Sequence, residues 1–328
     1  MSNIDYSVII RTTGKACEKY QALLVSIAAL DPRPQEVIVV LPEGVAPPNE
    51  KLGWETFYFC PKGMVIQRMT GIQKCKTPYA LICDDDVCFG PDFVQKLHKP
   101  IAEGMCSLSA GPLYSFLPKP GPKAVVSALC AAGVPTMFHR DRYVSVLNST
   151  GYSYNRHLKP EKKRYYEAQS LAWTCFYADV KALRSIELED EVWLDAHGYS
   201  AFDDQTMFYK AWLRGIKTIV VADAYYEHKD AKTSTRNNKP AVLYSLHMNR
   251  IIFWHRFLYS MKRTFFGKAW TGLALCYRIF WLKIWIWVDR LRKRCTKEDV
   301  AIIKKAYRDA WLYVKSQEYR DLPPVCEE

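Results

Sequence analysis

Tyr79-Ala-Leu-Ile-Cys83-Asp84-Asp85-Asp86 decides how this sequence folds. The first five residues are an apolar run of strand length, and three carboxylates end it abruptly. An apolar run without alternation marks a strand buried on both faces, as in parallel sheets. Tyr6-Ser-Val-Ile-Ile10 and Val37-Ile-Val-Val-Leu41 are runs of the same kind. Helical patterns over 18–30, 65–74 and 92–102 alternate with them, the first stopped at Asp31-Pro32. Strands alternating with helices imply right-handed βαβ units and an α/β fold with a mostly parallel sheet. Ligands of such sheets bind at the carboxyl ends of the strands, where the acidic triplet stands.

Composition narrows the classes around this core. The 328 residues are 49% hydrophobic and 24% charged, which excludes a disordered chain. The 15 Gly and 18 Pro follow no period, which excludes fibrous repeats. A net charge of +12 points to an anionic partner. Eleven Cys without a zinc-ligand spacing, the pairs Cys83/Cys88 and Cys60/Cys75 included, read as free thiols of a reducing cytosol. Residues 1–6 are polar, with Asp5 and no basic stretch, so no secretory signal is expected.

Further along, Pro118, Pro120, Pro122 and Pro135 predict irregular structure and short strands over 112–166. A strand-like run over 170–177, a helix from Val180, a helix over 205–214 and a strand over 216–222 follow. Past Lys239 the segments become long, helical, aromatic and basic. Two units are therefore expected, 1–235 and 236–328.

Three adjacent carboxylates repel one another unless solvent or a cation screens them. Alternation along an extended chain would put Asp84 and Asp86 on one side, where both can approach a divalent cation. A solvated turn that caps the following helix is the plainer alternative. Phe202-Asp203-Asp204-Gln205 opens a helix, so its acids suit either a positioned general base or ordinary capping. His228, after the last strand, is a further possible ligand.

Taken in order, these pieces resemble the family-2 glycosyltransferases, which have the GT-A nucleotide-diphospho-sugar transferase fold, a Rossmann-like sheet flanked by helices. Arg11-Thr12-Thr13-Gly14-Lys15 stands at the family's first turn, and Gln67-Arg68-Met69-Thr70-Gly71 is similar to its Ala-Arg-Asn-x-Gly helix. Cys83-Asp84-Asp85-Asp86 matches its Leu-Asp-x-Asp strand end. Asp203-Asp204 with Gly215 matches its Glu-Asp pair, and His228 its late His. The likeness covers about residues 5–235. The family's Asp-Asp-Gly-Ser after the second strand is replaced by Leu41-Pro42-Glu43-Gly44, and its motif Asn by Met69.

The resemblance implies a metal-dependent, inverting transfer from a nucleotide-sugar to a hydroxyl. Thr12, Glu43, Arg68, Asp84 and Asp85 would hold the donor, with Asp84 facing the ribose and Arg68 the diphosphate. Asp86, with Asp84 and His228, would hold Mg2+ or Mn2+. Asp204 would be the general base. Trp173 and Asp203 would serve the acceptor, Trp173 by offering an exposed ring to a sugar, unless it is a core residue.

The charge is local. Residues 250–294 carry 11 basic side chains against Asp289 alone, and five of the 10 Trp. On a helical wheel Trp270, Leu273, Tyr277, Phe280, Trp281, Ile284, Val288 and Leu291 share one face, with Lys268, Arg278, Lys283, Arg290, Lys293 and Arg294 opposite. Lys and Arg interrupt the run too often for a span, so a helix lying on an anionic membrane surface is expected, or one packed on the catalytic domain. The expected setting is the cytoplasmic face of the cell membrane, with a glycan or lipid-linked acceptor of polysaccharide or glycolipid assembly and no nucleic-acid partner. The rivals are a nucleotidyltransferase, which needs a Gly-rich basic first loop, and a non-enzymatic basic nucleic-acid- or membrane-binding protein.

Overall fold

The computed structural model describes residues 4–113, 122–132, 142–155, 163–230 and 238–326. In chain order the elements are β1 (Tyr6–Arg11), α1 (Glu18–Ala28), β2 (Glu36–Pro42), β3 (Thr56–Cys60), α2 (Met64–Lys74), β4 (Tyr79–Asp84), β5 (Val87–Phe89), α3 (Phe93–Ala102), β6 (Leu108–Ala110) and α4 (Pro122–Ala132). Then come β7 (Arg142–Val146), β8 (Ser153–Asn155), β9 (Tyr165–Ala168), β10 (Cys175–Asp179), α5 (Val180–Arg184), α6 (Asp203–Leu213), β11 (Thr218–Val221) and β12 (Tyr226–His228). The chain closes with α7 (Lys239–Trp254), α8 (Phe265–Leu291), α9 (Lys297–Tyr313) and α10 (Gln317–Arg320).

Ten strands form one sheet in the order β3-β2-β1-β4-β10-β6-β11-β9-β7-β8. The apolar runs read from the sequence make its parallel half, where β1 sits between β2 and β4. β10 then pairs antiparallel with both β4 and β6, so the second half is mixed. In the 112–166 stretch, Pro118, Pro120 and Pro135 fall outside the described residues, and Pro122 begins α4. The expected unit boundary at 235 also falls outside them.

α2 packs tightly on β1 and β2 because Gly71 lies against Ile9, where a Cβ would overlap the Ile9 side chain. Arg68 is one turn earlier on the same face, and so it is turned inside. The start of α2 is closed by Asp195, whose carboxylate accepts from the N–H groups of Met64, Val65 and Ile66 at 2.8–3.2 Å. A carboxylate there satisfies the free N–H groups of a helix start and its positive dipole end. Gly63 makes room for it, since a Cβ would lie 2.5 Å from Asp195 Oδ2.

α7 belongs to the core. Met248, Ile251, Ile252, Phe253 and Trp254 are buried in the same cluster as Phe176, Met207 and Phe208. Arg250 and Arg256 are buried as well, which removes the first part of 250–294 from any membrane face. α8 is different. By length and composition it is long and apolar enough to cross a membrane. This corrects the expectation that its charges forbid a span: between Phe265 and Leu291 they are too widely spaced. Only Thr271, Leu275 and Arg278 of α8 are buried. They dock the face expected to be basic and solvated, while Phe266 is 83% exposed and Leu273 66%.

Candidate active site

β4 carries Cys83 and Asp84 to the carboxyl edge of the sheet, and the chain turns at Asp85 and Asp86 before β5. Strict alternation therefore ends at Asp84, and the three carboxylates go three ways. Asp84 points inward, its Oδ1 accepting from Arg11 Nε at 3.2 Å and from Arg68 NH2 at 2.9 Å. Asp85 accepts from the Thr12 hydroxyl at 2.5 Å. Asp86 faces His228, with Oδ1 3.2 Å from Nε2. His228 comes to it because β12 pairs with β5, placing His228 opposite Val87. Where the sequence suggested that Asp84 joins Asp86 on one cation or faces a ribose, the structure places it against two guanidiniums.

Arg68 is the centre of the site. Only 3% exposed, it donates through NH1 to Asp203 at 2.5 Å and through NH2 to Asp84 and to the Trp173 carbonyl at 2.9 Å. One guanidinium thus joins the strand-end triplet to the acids at the start of α6. Arg68 is spent on these bonds and does not face outward as a diphosphate ligand. Trp173 lies under it, the Arg68 guanidinium 4.5 Å from the ring centre. At 3% exposure it is a buried support, not an open platform for a sugar. Asp203 is likewise buried, ion-paired with Arg68 and 8% exposed. Glu43 lies exposed in the turn after β2, away from these groups.

Asp204 is held differently. Its Oδ1 accepts from the Gln205 N–H at 2.7 Å, and it lines a cavity of about 180 Å³ with Gly111, Tyr143, Leu171, Gln205 and Tyr226. Burial first, then the neighbouring charge of Asp203, pushes its carboxyl up to about 7. Burial likewise raises Asp85 to about 6, against the opposing pull of Thr12 and Arg11. Burial alone would lower His228, but its bond to Asp86 raises it. Arg11 would also be lowered by burial, and Asp84, Asp85 and Asp203 together raise it.

Three contributors were missed in the sequence. Arg11, beside Thr12, carried no sign in the sequence of its pairing with Asp84. Gln67, whose side chain bonds the Thr12 and Val40 carbonyls at 3.0 and 3.2 Å, was hidden in an ordinary helix. Asp195 carried no local signal at all. Among the described residues no group of three His, Cys, Asp or Glu side chains gathers as a complete metal site.

The profile of the family described as Glycosyl transferase family 2 matches residues 58–184, which include Arg68 and the triplet and stop before Asp203. No curated protein matches the sequence. Among solved structures, the S. aureus TarS 1–349 fragment is similar at 15% identity and TM-score 0.50, covering 98% of this chain and 81% of that one. The same fragment in complex with UDP-GlcNAc gives 14%, 0.53, and 94% and 80%. GalNAc-T7 with UDP, GalNAc and Mn2+ gives 14%, 0.55, and 88% and 58%. The fold is therefore that of the GT-A glycosyltransferases. This chain is a glycosyltransferase whose residues 58–184 match the family 2 model.

Proposed function

We propose that the protein moves a sugar from a nucleotide-diphosphate donor to an acceptor hydroxyl with inversion, Asp204 taking the proton. The observation that carries this reading is the Arg68 bridge, which brings the strand-end triplet and the base-bearing helix into one site. A carboxyl near 7 at the wall of a cavity is matched to accepting a proton at neutral pH. A single such carboxyl in the cavity fits direct displacement. Asp203, ion-paired with Arg68, still raises Asp204 through its charge.

Thr12 and Asp85, joined by their hydrogen bond, are the donor's ribose and base contacts in this reading. Asp86 and His228 fit a divalent cation: a hard carboxylate oxygen and an imidazole nitrogen converge, and Mg2+ or Mn2+ commonly completes such a pair with substrate phosphates. When bound, the cation supplies charge against the leaving diphosphate. Asp84 has no place in that set. The outward side of α8, apolar in its middle and basic at both ends, is read as lying on an anionic membrane from 262 to 294. It lies rather than spans because Tyr277 and Arg278 bond the Leu129 and Thr150 carbonyls at 2.8 and 2.6 Å. A glycan or lipid-linked acceptor, used in cell-surface polysaccharide or glycolipid assembly at the cytoplasmic face, is consistent with that placement.

Asp204→Asn tests the reading. The variant should bind UDP with manganese as the wild type does, yet transfer sugar from a nucleotide-sugar panel about 10²–10⁴-fold more slowly. Near-normal turnover removes Asp204 from the chemistry.

A further inference from the structure

Arg250 on α7 and Arg278 on α8 are each 8% exposed. Among the described residues neither has a carboxylate within ion-pair distance, in contrast to Arg11, Arg68 and Arg256. Their contacts are neutral. Arg250 meets His247 Nδ1 at 3.3 Å, and its guanidinium lies 5.9 Å from the centre of the Phe202 ring. Arg278 donates to the Thr150 carbonyl at 2.6 Å and lies 5.4 Å from the Tyr152 ring centre. The Nε of Arg250 is buried with no hydrogen-bond partner. His247 offers no counter-charge, since burial and Arg250 lower it to about 3.

Two neighbouring buried guanidiniums repel each other, and burial together with Arg250 lowers Arg278 to about 9. Such a pair is costly unless an anion answers it, and the anion that suits two guanidinium forks is a phosphate. We propose that Arg250 and Arg278 form a binding site for a phosphate group beside the start of α6. Phe202, against Arg250, immediately precedes Asp203 and Asp204. Gly151, next to Thr150, accepts from Gln205 Nε2 at 2.9 Å. The site thus adjoins the start of α6, and Arg278 reaches it from the helix whose outer face is exposed and apolar. On the transfer reading the phosphate belongs to the acceptor; that assignment rests on the reading, and the site does not.

Full-length protein is titrated with inorganic phosphate, with sodium chloride at matched ionic strength as the control, and its melting temperature is followed. UDP with manganese is titrated separately. Phosphate should stabilise the wild type beyond chloride. Arg250→Gln and Arg278→Met should each weaken the phosphate response by about tenfold or more and leave UDP binding intact. Without phosphate, Arg278→Met should melt no lower than the wild type, because it removes a repelled buried charge. Should that variant not fold, Arg278→Lys keeps the charge and loses the fork, and the same weakening is expected. A wild type indifferent to phosphate, or variants with an undiminished response, would overturn the site. Loss of UDP binding in the wild type would strike the transfer reading instead. Glycerol 1-phosphate and dihexanoyl phosphatidic acid, compared below micellar concentration, locate the source. Tighter binding of the lipid identifies a headgroup, and equal binding a soluble acceptor's phosphate; either supports the site.

Discussion

Two pairs of buried arginines divide this molecule. Arg11 and Arg68 lie among Asp84 and Asp203, each cation bonded to at least one carboxylate. Arg250 and Arg278 lie among a carbonyl, an imidazole and aromatic rings. The first pair has its counter-charges within the protein. The second is incomplete, and a charge left uncompensated in a folded core points to something outside the chain. Burial of a cation is therefore not one signal but two, and the identity of its neighbours separates them.

The sharpest way to break this contrast is Arg68→Met. It leaves Asp84 and Asp203 buried without a cation, and about 3–5 kcal/mol of stability should be lost in urea denaturation. Arg278→Met, in the other pair, should lose little by the same measurement. A loss for Arg278→Met equal to that of Arg68→Met would erase the distinction. Glu191→Gln is a control for the complete class. Glu191 is gripped by Arg256 at 2.6 and 2.9 Å and by Lys210 at 3.0 Å. Burial would raise its carboxyl, but Arg256 and then Lys210 hold it below the usual range. Its neutralisation should cost about 3 kcal/mol.

A pH profile probes the first region from the chemical side. With Asp204 near 7, transfer should rise about tenfold from about pH 6 to about pH 8 as the carboxyl ionises. The sign for stability is opposite. A carboxyl raised in the fold holds its proton there longer than in the unfolded chain, so Asp204 weakens the fold as pH climbs from about 4 to about 7. Asp204→Asn should therefore melt higher than the wild type at about pH 8, and an unchanged melting temperature would deny the burial argument. The smallest effect belongs to exposed cations. Arg292→Gln, at the end of α8, should weaken sedimentation with anionic vesicles by about 1 kcal/mol, with no change for neutral ones.

Much of the parallel half was legible in advance. Three apolar runs, separated by helical periods and the third ended by acids, leave few alternatives to a parallel sheet with a site at its carboxyl edge. The mixed half was not: β7, β8 and β9 are short, and pairings such as Ile219 with Glu167 join segments far apart in sequence. Asp84, Asp85, Asp86, Asp203 and Asp204 were singled out in the sequence, but the directions their side chains take were not. Asp84 was paired with Asp86 by an alternation that holds only while the chain stays extended. Trp173 and Arg68 were assigned to ligands because aromatic rings and guanidiniums bind them so well, yet the same properties let the two stack on each other in the interior.

By itself, then, the sequence determined the kinds of element and the chemical identity of the acids, since hydrophobic period and residue type are local. Only the tertiary structure decided which charges meet. Arg68 and Asp203 are 135 residues apart in the chain, and no period or spacing records that a glycine against Ile9 lets α2 sink far enough for them to touch. The same holds for Arg250 and Arg278: a basic run reads as one solvated patch until packing buries some of its members and leaves the others outside. The free energy of a charge depends on its surroundings, and those are assembled from residues distant in sequence.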